Sequence, residues 1–123
     1  MTEDTVNDIR RSLYLAIKIE EKGINKNMVH TGFTYPDGDE LHIILKKQDG
    51  QWYLTDEGHT FMWLSYGEIN VDSPRIKDIL ARIMATNQAE LWEREISVKI
   101  KQNGAGIALT SMITALIQTA DLC

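Results

Sequence analysis

The sequence predicts a single α+β domain over residues 1–123, built as a four-stranded, mainly antiparallel sheet with helices packed on it. Three observations carry that expectation. Leu41, Ile43 and Leu45 alternate with His42, Ile44 and Lys46, turn at Asp49 and Gly50, and return through Trp52, Tyr53 and Leu54, which is the pattern of a hairpin. Ile96, Val98 and Ile100 alternate with Ser97, Lys99 and Lys101 in the same way. Between these runs, Ile76, Ile79, Leu80, Ile83 and Met84 recur at the spacing of one helix face.

From the N-terminus, Thr5 or Asp4 is placed to cap a helix with Val6, Ile9, Leu13, Ala16 and Ile17 on one stripe and Gly23 at its end, about five turns in all. Tyr14, Leu15 and Ile19 widen the apolar face, so this helix is expected between two layers or against a partner chain. Val29, Thr31, Phe33 and Tyr35 then alternate along a first strand, and Pro36, Asp37 and Gly38 reverse the chain. The second strand, Leu41 to Lys47, and the third, Gln51 to Thr55, complete a meander with Leu41, Ile43 and Leu45 toward the core. Ile44 falls on the opposite face, which is expected to be partly covered as well.

Phe61 to Leu64 is apolar without clear periodicity, which predicts a short helix, His59 to Tyr66, buried nearly all round and stopped by Gly67. Ser73 is the expected cap of the next helix, with Pro74 at its first position, where the missing donor costs nothing. A fourth strand, Glu95 to Lys101, should join the meander at an edge. Asn103 and Gly104 turn the chain into a closing helix, from about Gly106 to Ala120, that is almost free of charge and is expected inside a sandwich or a dimer interface.

Composition narrows the function classes. At 123 residues, 43% hydrophobic and 25% charged, the chain matches one ordinary domain able to bury a core. No apolar run reaches the ~20 residues of a membrane helix, and the start at Thr2, Glu3 and Asp4 is unlike a leader, so a cytoplasmic protein is expected. The one cysteine, Cys123, allows no internal disulfide and reads as a terminal free thiol. A net charge of -5 argues against a general phosphate-binding surface, and nucleic acid is not an expected partner. Lys46, Lys47, Lys99 and Lys101, with Trp52 and Tyr53 nearby, could serve such binding, but lysines on strands also keep sheet edges from pairing with other chains.

The turn at Leu54, Thr55, Asp56, Glu57 and Gly58, after an aromatic strand and before an apolar helix ending in Leu64 and Gly67, resembles that of an uncharacterised domain family of small prokaryotic and phage-borne proteins. The later helix with Arg75, Ile79 and Leu80 and the apolar closing helix are similar to that family's layout, so the resemblance covers most of the chain from about residue 28. It implies a layout and a mobile-element setting, and it carries no catalytic residue.

On their own chemistry, the candidate binding residues are Asp56, Glu57, His59, Trp52 and Lys46. Asp56 stands where a strand ends and a helix begins, where a carboxylate ordinarily accepts bonds from exposed backbone amides. If it only orders the turn, Asp56→Asn should cost ~1 kcal/mol. His42, Asp56 and His59 could instead approach one another, and two imidazoles with a carboxylate suit a transition metal, which gives a metal-dependent hydrolase or nuclease as the alternative. A restriction-type nuclease could draw on Pro36, Asp37, Glu40 and Lys46, but Glu40 and Lys46 are six residues apart where that chemistry places the acid and the lysine two apart on one strand. There is no glycine-rich phosphate loop, recognisable nucleophile setting or paired-cysteine pattern, so no cofactor is expected. The leading expectation is a small non-enzymatic protein-binding or regulatory protein, of the kind a mobile element encodes as an antagonist or accessory factor. Leu15, Ile19, Met112 and Leu116 predict a homodimer, or an equivalent protein contact, through the first and last helices.

Overall fold

The computed structural model describes residues 2–122, and of Tyr14 and Leu15 the backbone only. The order is α1 (Glu3–Ala16), β1 (Lys18–Gly23), β2 (Lys26–His30), β3 (Ile44–Gln48), β4 (Gln51–Thr55), α2 (His59–Tyr66), α3 (Pro74–Thr86), β5 (Glu90–Trp92), β6 (Glu95–Lys99) and α4 (Ala105–Ala120). The α+β class stands, but the sheet has six strands where four were expected, in the order β1-β2-β3-β4-β6-β5. Every neighbouring pair is antiparallel.

The two additional strands both come from hairpins. α1 is capped by Thr2, whose side chain accepts from the Thr5 amide, and it ends at Ala16 instead of continuing to Gly23. Lys18 to Gly23 pairs with β2, although Lys and Glu in this stretch favour helix; ladder pairing outweighs a propensity difference of well under 1 kcal/mol per residue. β5 is joined to β6 through Glu93 and Arg94, both at positive φ (47° and 69°), the geometry that matches hairpin twist. The expected fourth strand therefore does lie beside the meander, against β4, but β5 covers its other side and it is not an edge.

The first expected strand is displaced as well. Gly32, at φ 82°, interrupts the Val29 to Tyr35 run, so the regular strand is Lys26–His30 and residues 31–43 form an arm held by one bridge, Thr34 to Glu40. The reversal in that arm is as expected: Asp37 Oδ1 accepts from the Asp39 amide at 2.9 Å, and Gly38 has φ 93°. Ser73 caps α3 with Pro74 in its first turn, also as read from the sequence. α2 has the expected bounds but only one buried face, Thr60, Phe61 and Leu64, while Met62 and Tyr66 are exposed.

The core lies between one sheet face and α2, α3 and α4. Val29, Leu54, Ile96 and Val98 from the sheet meet Phe61, Leu64, Leu80, Met84, Met112 and Leu116, all buried. Leu41 and Ile43, from the arm, are also fully enclosed. Met112 and Leu116 have no exposed surface, so α4 buries them inside its own chain, and the expected contact of the last helix with a partner does not use them. Ile19 belongs to β1, not to a helix, and is 62% exposed; the side chain of Leu15 lies outside the described residues, as does Cys123. α1 stands apart from this core, with Ile9 and Leu13 at least half exposed. Among the described residues no helix is long and apolar enough to cross a membrane.

This division of burial makes a prediction. Leu116→Ala should cost about 2–5 kcal/mol, the usual loss for a leucine cut from a packed core, whereas Ile9→Ala should change stability by less than ~0.5 kcal/mol in the isolated chain; urea unfolding measures both.

Candidate functional site

Five residues, Leu54 to Gly58, carry the chain from β4 into α2, and their own side chains shape that junction. The Thr55 hydroxyl accepts from the Glu57 amide at 3.0 Å and donates to Glu95 Oε1 at 2.5 Å. Glu57 (φ 52°) and Gly58 (φ 82°) are both left-handed, and glycine is the residue for which that conformation is cheap. Asp56 Oδ1 accepts from the amides of Gly58 (3.0 Å) and Ile96 (2.9 Å), and Oδ2 from the amide of Thr60 (3.2 Å). The side chain is fully buried, so one carboxylate ties the strand end, the first turn of α2 and β6. Its role is that of a cap, reached from outside the helix because Gly58 at the cap position has no side chain to offer.

Glu57, one residue on, turns the other way and becomes the centre of a charged cluster. His42 Nε2 donates to its Oε1 at 3.0 Å, and its Oε2 is met by Lys46 Nζ at 2.7 Å and Lys26 Nζ at 3.5 Å. Burial pushes the Glu57 carboxyl up, but the bonds from His42 and Lys46 and the charges of Lys46 and Lys26 outweigh it and hold the group at about 2. The same bond to Glu57 raises Lys46. His59, the first residue of α2, stacks on His42 with ring centroids 3.7 Å apart and planes within 9°. Burial, then the charge of His42, lower His59, which favours its neutral form.

The structure thus brings Lys46, Glu57, His42 and His59 together and sets the other candidates apart. Asp56 is in the interior. Trp52 pairs with Lys47 across β3 and β4 on the opposite sheet face from Lys46 and Tyr53, with Lys47 Nζ 5.9 Å from the Trp52 ring centre. Register therefore puts Lys47 on the face opposite Lys46 and Lys99, and Lys99 is taken up by Glu90 at 3.7 Å. Asp37 closes its own turn, and Glu40 bonds His30 Nδ1 at 2.6 Å. The opposite nitrogen of His30 meets Glu20 at 3.0 Å, and these bonds raise the imidazole above its ordinary value.

The chemistry open to this arrangement is limited. The three hydrogen bonds that Asp56 accepts all come from backbone amides, and the stacked rings of His42 and His59 keep their in-plane lone pairs in two separate, nearly parallel planes, so that a metal ~2 Å from one nitrogen and in its ring plane lies out of the plane of the other. Among the described residues no group of three or more His, Cys, Asp and Glu is placed to hold a metal ion. Sequence reasoning missed Lys26, which falls between the expected first helix and the expected first strand, and it missed the Thr55–Glu95 and Tyr35–Thr60 bonds, the latter 2.9 Å and buried. No spacing rule signals any of them, because each partner is brought in by sheet register or by the arm.

The family model described as Domain of unknown function DUF1828 matches residues 31–119. The chain belongs to this family. The matched span holds the whole Asp56 junction and, of the charged cluster, all but Lys26. No curated protein and no solved structure gives a significant match to the chain. The DUF1828 match supports an uncharacterised domain, and its description assigns no activity.

Glu57 makes stability depend on acid. Its folded value lies below its ordinary 4.5, so its contribution is complete above about pH 4.5 and is lost as pH falls toward about 2. With a quarter of the side chain in solvent, that contribution is ~1–3 kcal/mol after screening. Glu57→Gln should remove the loss in that window while leaving the rest of the acid transition, as read by urea unfolding at pH 6, 4 and 3.

Proposed function

We propose that the protein is a small non-enzymatic binding or regulatory protein that acts through protein contacts in the cytoplasm. The observation that carries this reading is α1. It is a 14-residue amphipathic helix with acidic residues in its first turn and a side-chain cap, so it is well specified as a helix. Yet Ile9 and Leu13 are 50% and 58% exposed. Each such side chain gains ~1.5–3 kcal/mol when fully buried, so a surface that covers the stripe would be strongly favoured. The polar groups that resemble catalytic ones support the same reading from the other side, since Asp56 and Glu57 are both engaged in internal bonds. The resemblance of the Leu54 to Gly58 turn to phage-borne proteins supports an antagonist or accessory factor of a mobile element.

Cross-linking in native extract, followed by mass spectrometry, tests the reading. Peptides of α1 should be linked to another polypeptide, and Ile9→Glu with Leu13→Glu should abolish those links without altering the circular dichroism spectrum. Links confined to the same chain would contradict it. A divalent-metal-dependent hydrolysis lost in a folded Asp56→Asn protein would favour the hydrolase alternative built on Asp56, His42 and His59.

A further inference from the structure

One histidine ties three elements together at the edge of the sheet. His30 is the last residue of β2, where the chain leaves the ladder for the arm, and each of its ring nitrogens meets a carboxylate from a different element. Nδ1 donates to Glu40 Oε1 in the arm at 2.6 Å, and Nε2 donates to Glu20 Oε1 in β1 at 3.0 Å. The other Glu40 oxygen accepts from the Gly32 amide at 3.4 Å, so this carboxylate spans the base of the arm. Little burial supports the tie on the β1 side, because all six residues of that edge strand are exposed.

The geometry fixes the protonation of the ring. Ionised carboxylates only accept, so both nitrogens must donate, and an imidazole has two N–H groups only when it is charged. The neutral ring could serve one carboxylate and would turn a lone pair toward the other at hydrogen-bond distance. Lys22 Nζ lies 3.3 Å from the same Glu20 oxygen, and the bonds from His30 and then Lys22 hold that carboxyl below its ordinary value, in its charged form. Against the imidazolium stand partial burial and Lys18, a like charge directly across the ladder from His30. On β3 the residues in register with β2 are Ile44, Leu45 and Lys46, and Lys46 is held by Glu57, as is His42 in the arm.

We propose that His30 is a proton-operated clasp: charged, it fastens β1 and the arm to the end of β2, and on losing its proton it releases β1. The neutral ring keeps its N–H on Glu40, the shorter bond to the less exposed carboxylate (32% against 52% for Glu20), and presents a bare Nε2 to Glu20. The bonds to Glu20 and then Glu40 raise the ring above its ordinary 6.5. The tie is therefore complete below about pH 6.5 and is lost as pH rises through the folded value. Only Ile17 separates β1 from α1, so the clasp governs how firmly the strand that carries the exposed helix is held, whatever that helix binds.

NMR of the full chain between about pH 5.5 and 8.5 provides the test. The His30 ring should carry protons on both nitrogens at the acid end and titrate above 6.5. Across that titration the exchange protection of the β1–β2 ladder amides, corrected for intrinsic rates, should fall about 2- to 5-fold, the size of one exposed charged pair, while the arm amides of Tyr35 and Leu41 keep theirs. Glu20→Gln changes an exposed side chain, so the protein stays folded; it should bring the His30 titration down toward 6.5 and make β1 protection flat with pH. His30→Gln should flatten it as well. A ring with one N–H at the acid end overturns the clasp, as does a titration at or below 6.5. So does β1 protection that is flat in the wild type, or that still falls with pH in Glu20→Gln.

Discussion

The structure depends most on one buried carboxylate. Asp56 has no exposed surface, and its two oxygens serve three amides that belong to different parts of the chain: Gly58 in the turn, Thr60 in α2 and Ile96 in β6. A charged acceptor roughly doubles the strength of each bond relative to a neutral one, and withdrawing it would strand donors that have no water to turn to. The backbone of Asp56 adds a fourth tie, its amide donating to the Ile96 carbonyl at 3.1 Å. The junction of β4 with α2 and the seating of β6 are thus a single event. From it follow the placement of Thr60 against Tyr35, of Trp63 against Tyr35 at 6.2 Å, and of the Trp63 indole N–H on the Ala120 carbonyl at the end of α4.

Asp56 and Glu57 are neighbours with opposite fates, and the difference is backbone geometry. Because Glu57 adopts φ 52°, its side chain leaves the junction on the side of Lys46, Lys26 and His42 while that of Asp56 enters the interior. The pair explains how a turn rich in acids, beside two histidines, can look like a metal site in sequence and act as a clasp in the fold. One acid holds backbone, the other holds cations, and the histidine rings stack on each other.

The parts of the fold legible in the sequence were those with a local mechanism. Ser73 and Pro74 announce a helix start, Asp49 and Gly50 a hairpin, and the Ile96, Val98 alternation a half-buried strand, and each is found in place. β1 escaped because all six of its residues are exposed, which removes the alternation by which a strand is recognised, and Lys and Glu read as helix. β5 escaped because its hairpin turns on Glu93 and Arg94, with neither the Asn nor the Gly that usually marks two residues at positive φ. For the site, Asp56 as a cap was readable from its position at a strand-to-helix junction. Its bond to Ile96, forty residues away, was not, because only the β4–β6 register creates it. Of the residues expected to supply an apolar surplus, Met112 and Leu116 vanish into the core and Ile19 is exposed, while Ile9, Leu13, Ile24, Trp92 and Ile107 are among the further large apolar side chains left exposed.

If Asp56 is the tie that joins three elements, the amide protons of Gly58, Thr60 and Ile96 report on it directly. Native-state hydrogen exchange should show Thr60 and Ile96 protected to the level of the central strands β3, β4 and β6, and in Asp56→Asn both should fall together by a common factor of about 30 or more, the equivalent of ~2–3 kcal/mol for losing the charge that holds them. Rapid exchange of Ile96 in the wild type, or an Asp56→Asn protein in which Thr60 is deprotected while Ile96 stays unchanged, would contradict the account.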